Sequence, residues 1–145
     1  MDATKVKFLA VLIAGAMLLG VMPAARSADA VKTVYHLSDE QSATLAMFNI
    51  SNHLTADPGA KIVLVALSRG VKVLTFGAQD ATGRPFAEWV DQLSAKGVEF
   101  RICQNSMNAY KLTQADLVDK VQIVPSGVAE IARLQNREGY AYIRP

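Results

Sequence analysis

Apolar residues along the chain follow two spacings in turn. Short β-prone runs, either unbroken or alternating, occupy residues 33–37, 62–67, 98–102, 121–124 and 140–143. The run at 62–67 has no polar interruption, which suits a strand covered on both faces. Between these runs the spacing turns helical. Ala43, Ala46, Met47, Ile50 and Leu54 follow Ser38 and Gln41, which stand at capping-box spacing, and Asp39 and Glu40, which favour the positive end of a helix. This predicts a helix over about 39–55, ended by Asp57-Pro58-Gly59. Phe86, Trp89, Val90 and Leu93 fall at i, i+3, i+4 and i+7 after Pro85, and Gly97 supplies a left-handed stop. Pro125 and Ser126 end the fourth run and cap a helix carrying Val128, Ile131, Ala132 and Leu134, closed by Gly139.

Other segments are less marked. Residues 71–76 read equally as a helical turn or a short strand, and 77–83 as a polar loop. The polar segment 104–109 can open a helix, and Thr113 with Asp116 marks a second short helical start. Strands and helices thus alternate, which predicts an α/β domain with a mainly parallel five-stranded sheet and helices on both faces. The last strand is expected at an edge.

The 145-residue chain is long enough for one domain of ordinary size. Its first 27 residues are expected to stand apart as a signal peptide, leaving one domain over 28–145. Lys5 and Lys7 precede an uncharged run from Phe8 to Met22, followed by Pro23, Ala24 and small residues. At the helical rise that run reaches about 22 Å, short of a hydrocarbon core of about 30 Å, so export with cleavage is expected over anchoring. Cleavage after Ser27 or after Ala30 leaves the first strand intact. A lipoprotein signal needs a cysteine just after the apolar run, and the single cysteine lies at 103.

Export changes the charge picture. Loss of Lys5, Lys7, Arg26 and Asp2 from 15 basic and 13 acidic residues leaves 12 of each. A formally neutral domain offers no support for a nucleic-acid partner or an anionic membrane. One cysteine makes no internal disulfide, although the expected compartment, a bacterial periplasm, is oxidising. Such a thiol is buried, paired with another molecule, or chemically used.

In a parallel sheet every loop after a strand lies on one rim, the edge where open α/β sheets carry their chemistry. That rim collects residues 37–39, 68–70, 103–105 and 125–127. Cys103, at the start of a helical segment, meets unpaired N–H groups that favour thiolate, and Arg69 on the same rim is a candidate to add to this. Against this stands the tendency of free cysteine to be buried filler. His36 is a candidate base for the thiol or an ordinary satisfied histidine, and His53 reads as structural. Two histidines and one cysteine have no metal-ligand spacing. Ser126-Gly127 reads as a cap more than as a phosphate cradle. Trp89, Phe86 and the late tyrosines read as core or subunit contacts.

Several stretches resemble the DsrE/DsrF-like proteins: Asn49-Ile50-Ser51-Asn52-His53-Leu54, Cys103-Gln104-Asn105-Ser106-Met107, Val124-Pro125-Ser126-Gly127-Val128-Ala129-Glu130-Ile131-Ala132-Arg133-Leu134-Gln135, and Glu138-Gly139-Tyr140-Ala141-Tyr142-Ile143. The resemblance implies a three-layer α/β/α domain of flavodoxin- or Rossmann-like topology, assembled as an oligomer, commonly a trimer or hexamer. In sulfur-relay members a cysteine at the place of Cys103 carries a persulfide to a partner, which makes a sulfur donor or acceptor protein the expected partner. No cofactor is implied. Many relatives carry a His-Gly pair after the second strand, whereas this chain reads Leu67-Ser68-Arg69-Gly70, matching only Gly70. An exported address is a second departure from the cytoplasmic relays. The leading expectation is an exported sulfur-handling protein in which Arg69 and the amides near Gln104 and Asn105 hold the charge of Cys103. Its rivals are a non-catalytic oligomeric binding module and a thiol that forms an intersubunit disulfide.

Overall fold

The computed structural model describes residues 30–145, so the expected signal peptide lies almost wholly outside the described residues. Five strands form one sheet: β1 (Lys32–Leu37), β2 (Lys61–Ala66), β3 (Glu99–Cys103), β4 (Val121–Val124) and β5 (Ala141–Ile143). Their order is β4-β3-β2-β1-β5, and every neighbouring pair is parallel. Four helices connect them: α1 (Ala43–Ala56), α2 (Phe86–Ser94), α3 (Gln104–Ala109) and α4 (Gly127–Glu138). The expected α/β class, parallel sheet and edge position of the last strand are all present.

Alternation along the strands sorts the core into two layers. Tyr35, Leu37, Ile62, Leu64, Ala66, Phe100 and Ile102 face α1 and α2, packing on Met47, Ile50, Trp89 and Leu93. Val34, Val63 and Val65 face the other way, against Ile131 and Leu134 of α4 and against Tyr140. Each large side chain so buried stabilises the fold by about 1.5–3 kcal/mol. Among the described residues no helix is long and apolar enough to cross a membrane.

One local reading is corrected and one open choice is decided. Helix α1 begins at Ala43, later than position 39, and Ser38 and Gln41 make no capping box. Asp39 instead accepts the Ser42 N–H at 2.9 Å, a local turn that delays the helix. The ambiguous stretch after β2 is a 3₁₀ helix, Ser68–Leu74, brought close to β1 by Gly70. A Cβ on Gly70 would lie 2.3 Å from the Leu37 carbonyl oxygen, so only glycine lets the two backbones meet.

The 77–83 loop is more ordered than its polarity suggests. Asp80 is 7% exposed, and its carboxylate accepts from Thr82 N, Thr82 Oγ1, Arg84 N and Trp89 Nε1 at 2.7–3.0 Å. Donors from Thr82 and Trp89 hold its carboxyl well below the usual carboxylate range. Trp89 is thereby core with a polar anchor, and His53 is structural, with its Nδ1 3.1 Å from the Tyr35 hydroxyl.

The edge strand β5 has three residues, all exposed, and pairs with β1 alone. Side chains fasten it. His36 Nδ1 lies 2.6 Å from the Tyr142 hydroxyl, and Arg144 Nη2 donates to Ser38 Oγ at 3.0 Å. The His36 Nε2 is buried without a partner. Burial, and then the Arg144 charge, lowers the His36 pKa from its ordinary 6.5.

Gly70→Ala is expected to cost about 1–3 kcal/mol by overpacking, read as a lower urea midpoint; an unchanged midpoint would contradict the close approach. Because the folded state favours neutral His36, its contribution is present above the ordinary 6.5 and fades as pH falls through the lowered folded value. Stability should therefore drop as the pH falls below 6.5, and His36→Gln should remove that part of the slope. Equal slopes in both proteins would contradict it.

Candidate functional site

Parallel pairing puts the C-terminal ends of all five strands on one rim, as alternation predicts. Cys103 is the last residue of β3, opposite Val124 of β4, and occupies the N-cap position of α3. Its side chain belongs to the α4 face of the sheet. A Cβ on Gly127, the first residue of α4, would lie 3.1 Å from Cys103 Cβ and from two side-chain atoms of Leu67. The missing side chain at 127 is what lets the α4 start come down onto the thiol.

The thiol is free and only 4% exposed. Burial is the largest single influence on it and pushes its pKa up. The Ser106 hydroxyl, the Gly127 N–H and the N–H groups of Ser106 and Asn105 act in the opposite direction, and the balance leaves the thiol below its ordinary value. Cys103 holds the N-cap position, with Asn105 and Ser106 two and three residues on, but its side chain makes no capping hydrogen bond. Ser106 is also tied to the neighbouring loop, because its Oγ accepts the Ser68 N–H at 2.8 Å. Ser68 is left-handed, with φ 49°, which few residues other than glycine adopt.

Of the residues expected at this site, Cys103 and the Asn105 amide are brought together. The others have different work. Arg69 donates to Gln41 Oε1 at 3.4 Å and is no source of the thiol's shift. Gly70 serves the approach to Leu37. Gln104 donates to Asn108 Oδ1 at 2.9 Å, within its own helix. Ser126 caps α4 by accepting the Ala129 N–H at 3.5 Å, as its spacing predicts. His36 pairs in register with Val65, and Val65 with Arg101. That leaves Cys103 two strands across and two residues further along, about 12 Å from the His36 backbone, so His36 is not its base.

Ser106 and Gly127 are the contributors that pattern reading passed over. Ser106 was legible as the third residue of a helix capped by Cys103. Gly127 was legible only as part of a cap, because its use depends on a strand distant in sequence. Among the described residues no three or more His, Cys, Asp or Glu side chains gather closely enough to hold a metal ion.

Known proteins share this architecture. The model of the DsrE/DsrF-like family matches residues 26–145. A protein of unknown function from Methanobacterium thermoautotrophicum is similar in structure with a TM-score of 0.71 and 32% identity, covering 79% of this chain and 99% of its own. The YchN protein of E. coli shares the fold with a TM-score of 0.66 at 13% identity, covering 79% of this chain and 100% of its own. No match is found among curated proteins. The family match spans the whole sheet and every element around Cys103, and the chain belongs to the DsrE/DsrF-like family.

Proposed function

We propose that this chain is an exported sulfur-handling protein in which Cys103 accepts and carries sulfane sulfur as a persulfide. The observation that carries the reading is the place of Cys103, last in β3, at the N-cap of α3 and tight against the first residue of α4. Nothing else on the rim combines a nucleophile with groups able to stabilise its charge. Family membership supports the same reading.

The transfer conserves atoms and electrons. The Cys103 thiolate attacks the outer sulfur of a persulfide donor, and a new S–S bond forms at Cys103 as the donor's S–S bond breaks. The donor leaves as its thiolate, while the transferred sulfur keeps its proton. The terminal sulfur of the resulting persulfide ionises readily, and the N–H groups of Gly127, Ser106 and Asn105 suit it as they suit the thiolate. The partner is a donor or acceptor of sulfane sulfur, and the chain works as a homo-oligomer in the periplasm after its leader is removed.

A second reading rests on the 4% exposure of Cys103. Under it the rim is a ligand or peptide pocket in a non-catalytic oligomer, and the cysteine is core.

The test is sulfur loading of the purified protein by inorganic polysulfide, read by intact mass. The carrier reading expects the gain of a sulfur atom that a reductant removes and that Cys103→Ser abolishes. Equal loading of the Cys103→Ser protein, or none in the parent, favours the binding module.

A further inference from the structure

We propose that the outward face of α1 is the contact between two copies of this chain, related by a two-fold axis that passes beside Leu45 and Phe48. Of the proposed function only the homo-oligomer is presupposed, and the sulfur chemistry is not.

Helix α1 has no Asp, Glu, Lys or Arg in its 14 residues. Its exposed side chains Leu45, Phe48, Asn52 and Thr55 recur at i, i+3, i+7 and i+10, one line along the helix. Leu45 is 53% exposed and Phe48 45%. A surface helix turns a charged face to water, and the other two long helices do so. Helix α2 exposes Glu88 and Asp91, and α4 exposes Arg137 and Glu138. His53, the one ionisable side chain of α1, lies with its Nδ1 3.1 Å from the Tyr35 hydroxyl of β1. Helix α1 is thus apolar within and neutral without, the pattern of a helix covered on both sides.

The patch is preset. Phe48 stands edge-on to Trp89 with ring centroids 5.1 Å apart, and Trp89 is anchored by Asp80. Thr44 Oγ1 accepts the Ala81 N–H at 3.1 Å and so ties the 77–83 loop to α1. An aromatic ring held in this way loses little freedom when it is covered. Ion pairs stand beside the line, Glu40 with Lys72 at 3.6 Å ahead of the helix and Arg84 with Glu88 at 3.2 Å near Trp89. An apolar centre with a polar rim is the anatomy of a protein interface.

Charge selects the occupant. In a two-fold contact each residue near the axis meets its own copy, so any charge there faces a like charge. The neutral line of α1 escapes that cost, whereas the acidic face of α2 would incur it. Asn52 and Thr55 continue the line with groups that both donate and accept hydrogen bonds. A lipid surface is held by Lys and Arg beside an apolar line, and α1 has neither. The contact also leaves the thiol alone. Helix α1 packs on the sheet face of Tyr35, Leu37 and Phe100, whereas Cys103 lies against the start of α4 on the other face.

The experiment is sedimentation velocity of the purified protein over a concentration series, beside Leu45→Glu, Leu45→Lys and Cys103→Ser, with circular dichroism to confirm folding. The parent is expected to assemble. Each Leu45 variant falls to half the parent's mass or less, its dissociation constant raised about 30-fold or more. An equimolar mixture of Leu45→Glu and Leu45→Lys reassembles, because each charge then meets its opposite. Cys103→Ser sediments as the parent does. An assembly that both Leu45 variants leave intact overturns the α1 contact and keeps the homo-oligomer. A monomeric parent overturns both, and its co-sedimentation with phosphatidylcholine vesicles would give the face to lipid. Variants that separate and do not reassemble on mixing overturn the two-fold placement. Loss of assembly in Cys103→Ser gives the contact to a disulfide and overturns it.

Discussion

The first turn of α4 lies tightly against the end of β3. A single Cβ at Gly127 would press on Cys103 and Leu67 at 3.1 Å, so the β2 loop, the β3 end and the α4 start form one packed unit. The same two elements are fastened further on. Arg101, two residues before Cys103, pairs with Glu130, three residues after Gly127, and their side chains are only 13% and 12% exposed. Strand and helix periodicities put the ion pair and the thiol on matching faces. Each partner has a second, since Arg101 also donates to Glu99 and Glu130 also accepts from Arg133, so the pair sits in a small charge network. The position of the helix start over the sulfur is therefore held by contact on one side and by charge on the other.

Around that unit the chemistry is a contest between burial and donors. A thiol sealed from water prefers its proton, and a filler cysteine needs nothing more. Cys103 instead stands at the N-cap of α3 with the start of α4 packed against it, and its pKa is lowered despite burial. The cost is access, because Cys103 is only 4% exposed.

Much of the fold was legible in the chain because its pattern is local. The uninterrupted run in β2, the i, i+3, i+4, i+7 face of α2 and the Gly97 and Gly139 stops report neighbours in sequence. The rim followed from alternation alone. What pattern could not give were partners set by distant elements. Arg69 had the right charge in the right loop, yet its direction is decided by Gln41 on the segment before α1. His36 ended the right strand, yet Tyr142 at the far end of the chain takes its ring. Asp80 sat in an unremarkable polar loop and became the anchor of Trp89. Ser106 was within reach of sequence reasoning, since the spacing Cys-x-x-Ser at a helix start carries a physical meaning.

The central claim is that Cys103 is an ionisable nucleophile and not inert core. The pH dependence of its alkylation in the folded protein, followed by intact mass, tests this most directly. Modification without denaturant is expected, with a midpoint below the ordinary thiol value of about 8.5. Protection at every pH until the protein is unfolded would contradict it and leave the rim as a binding surface.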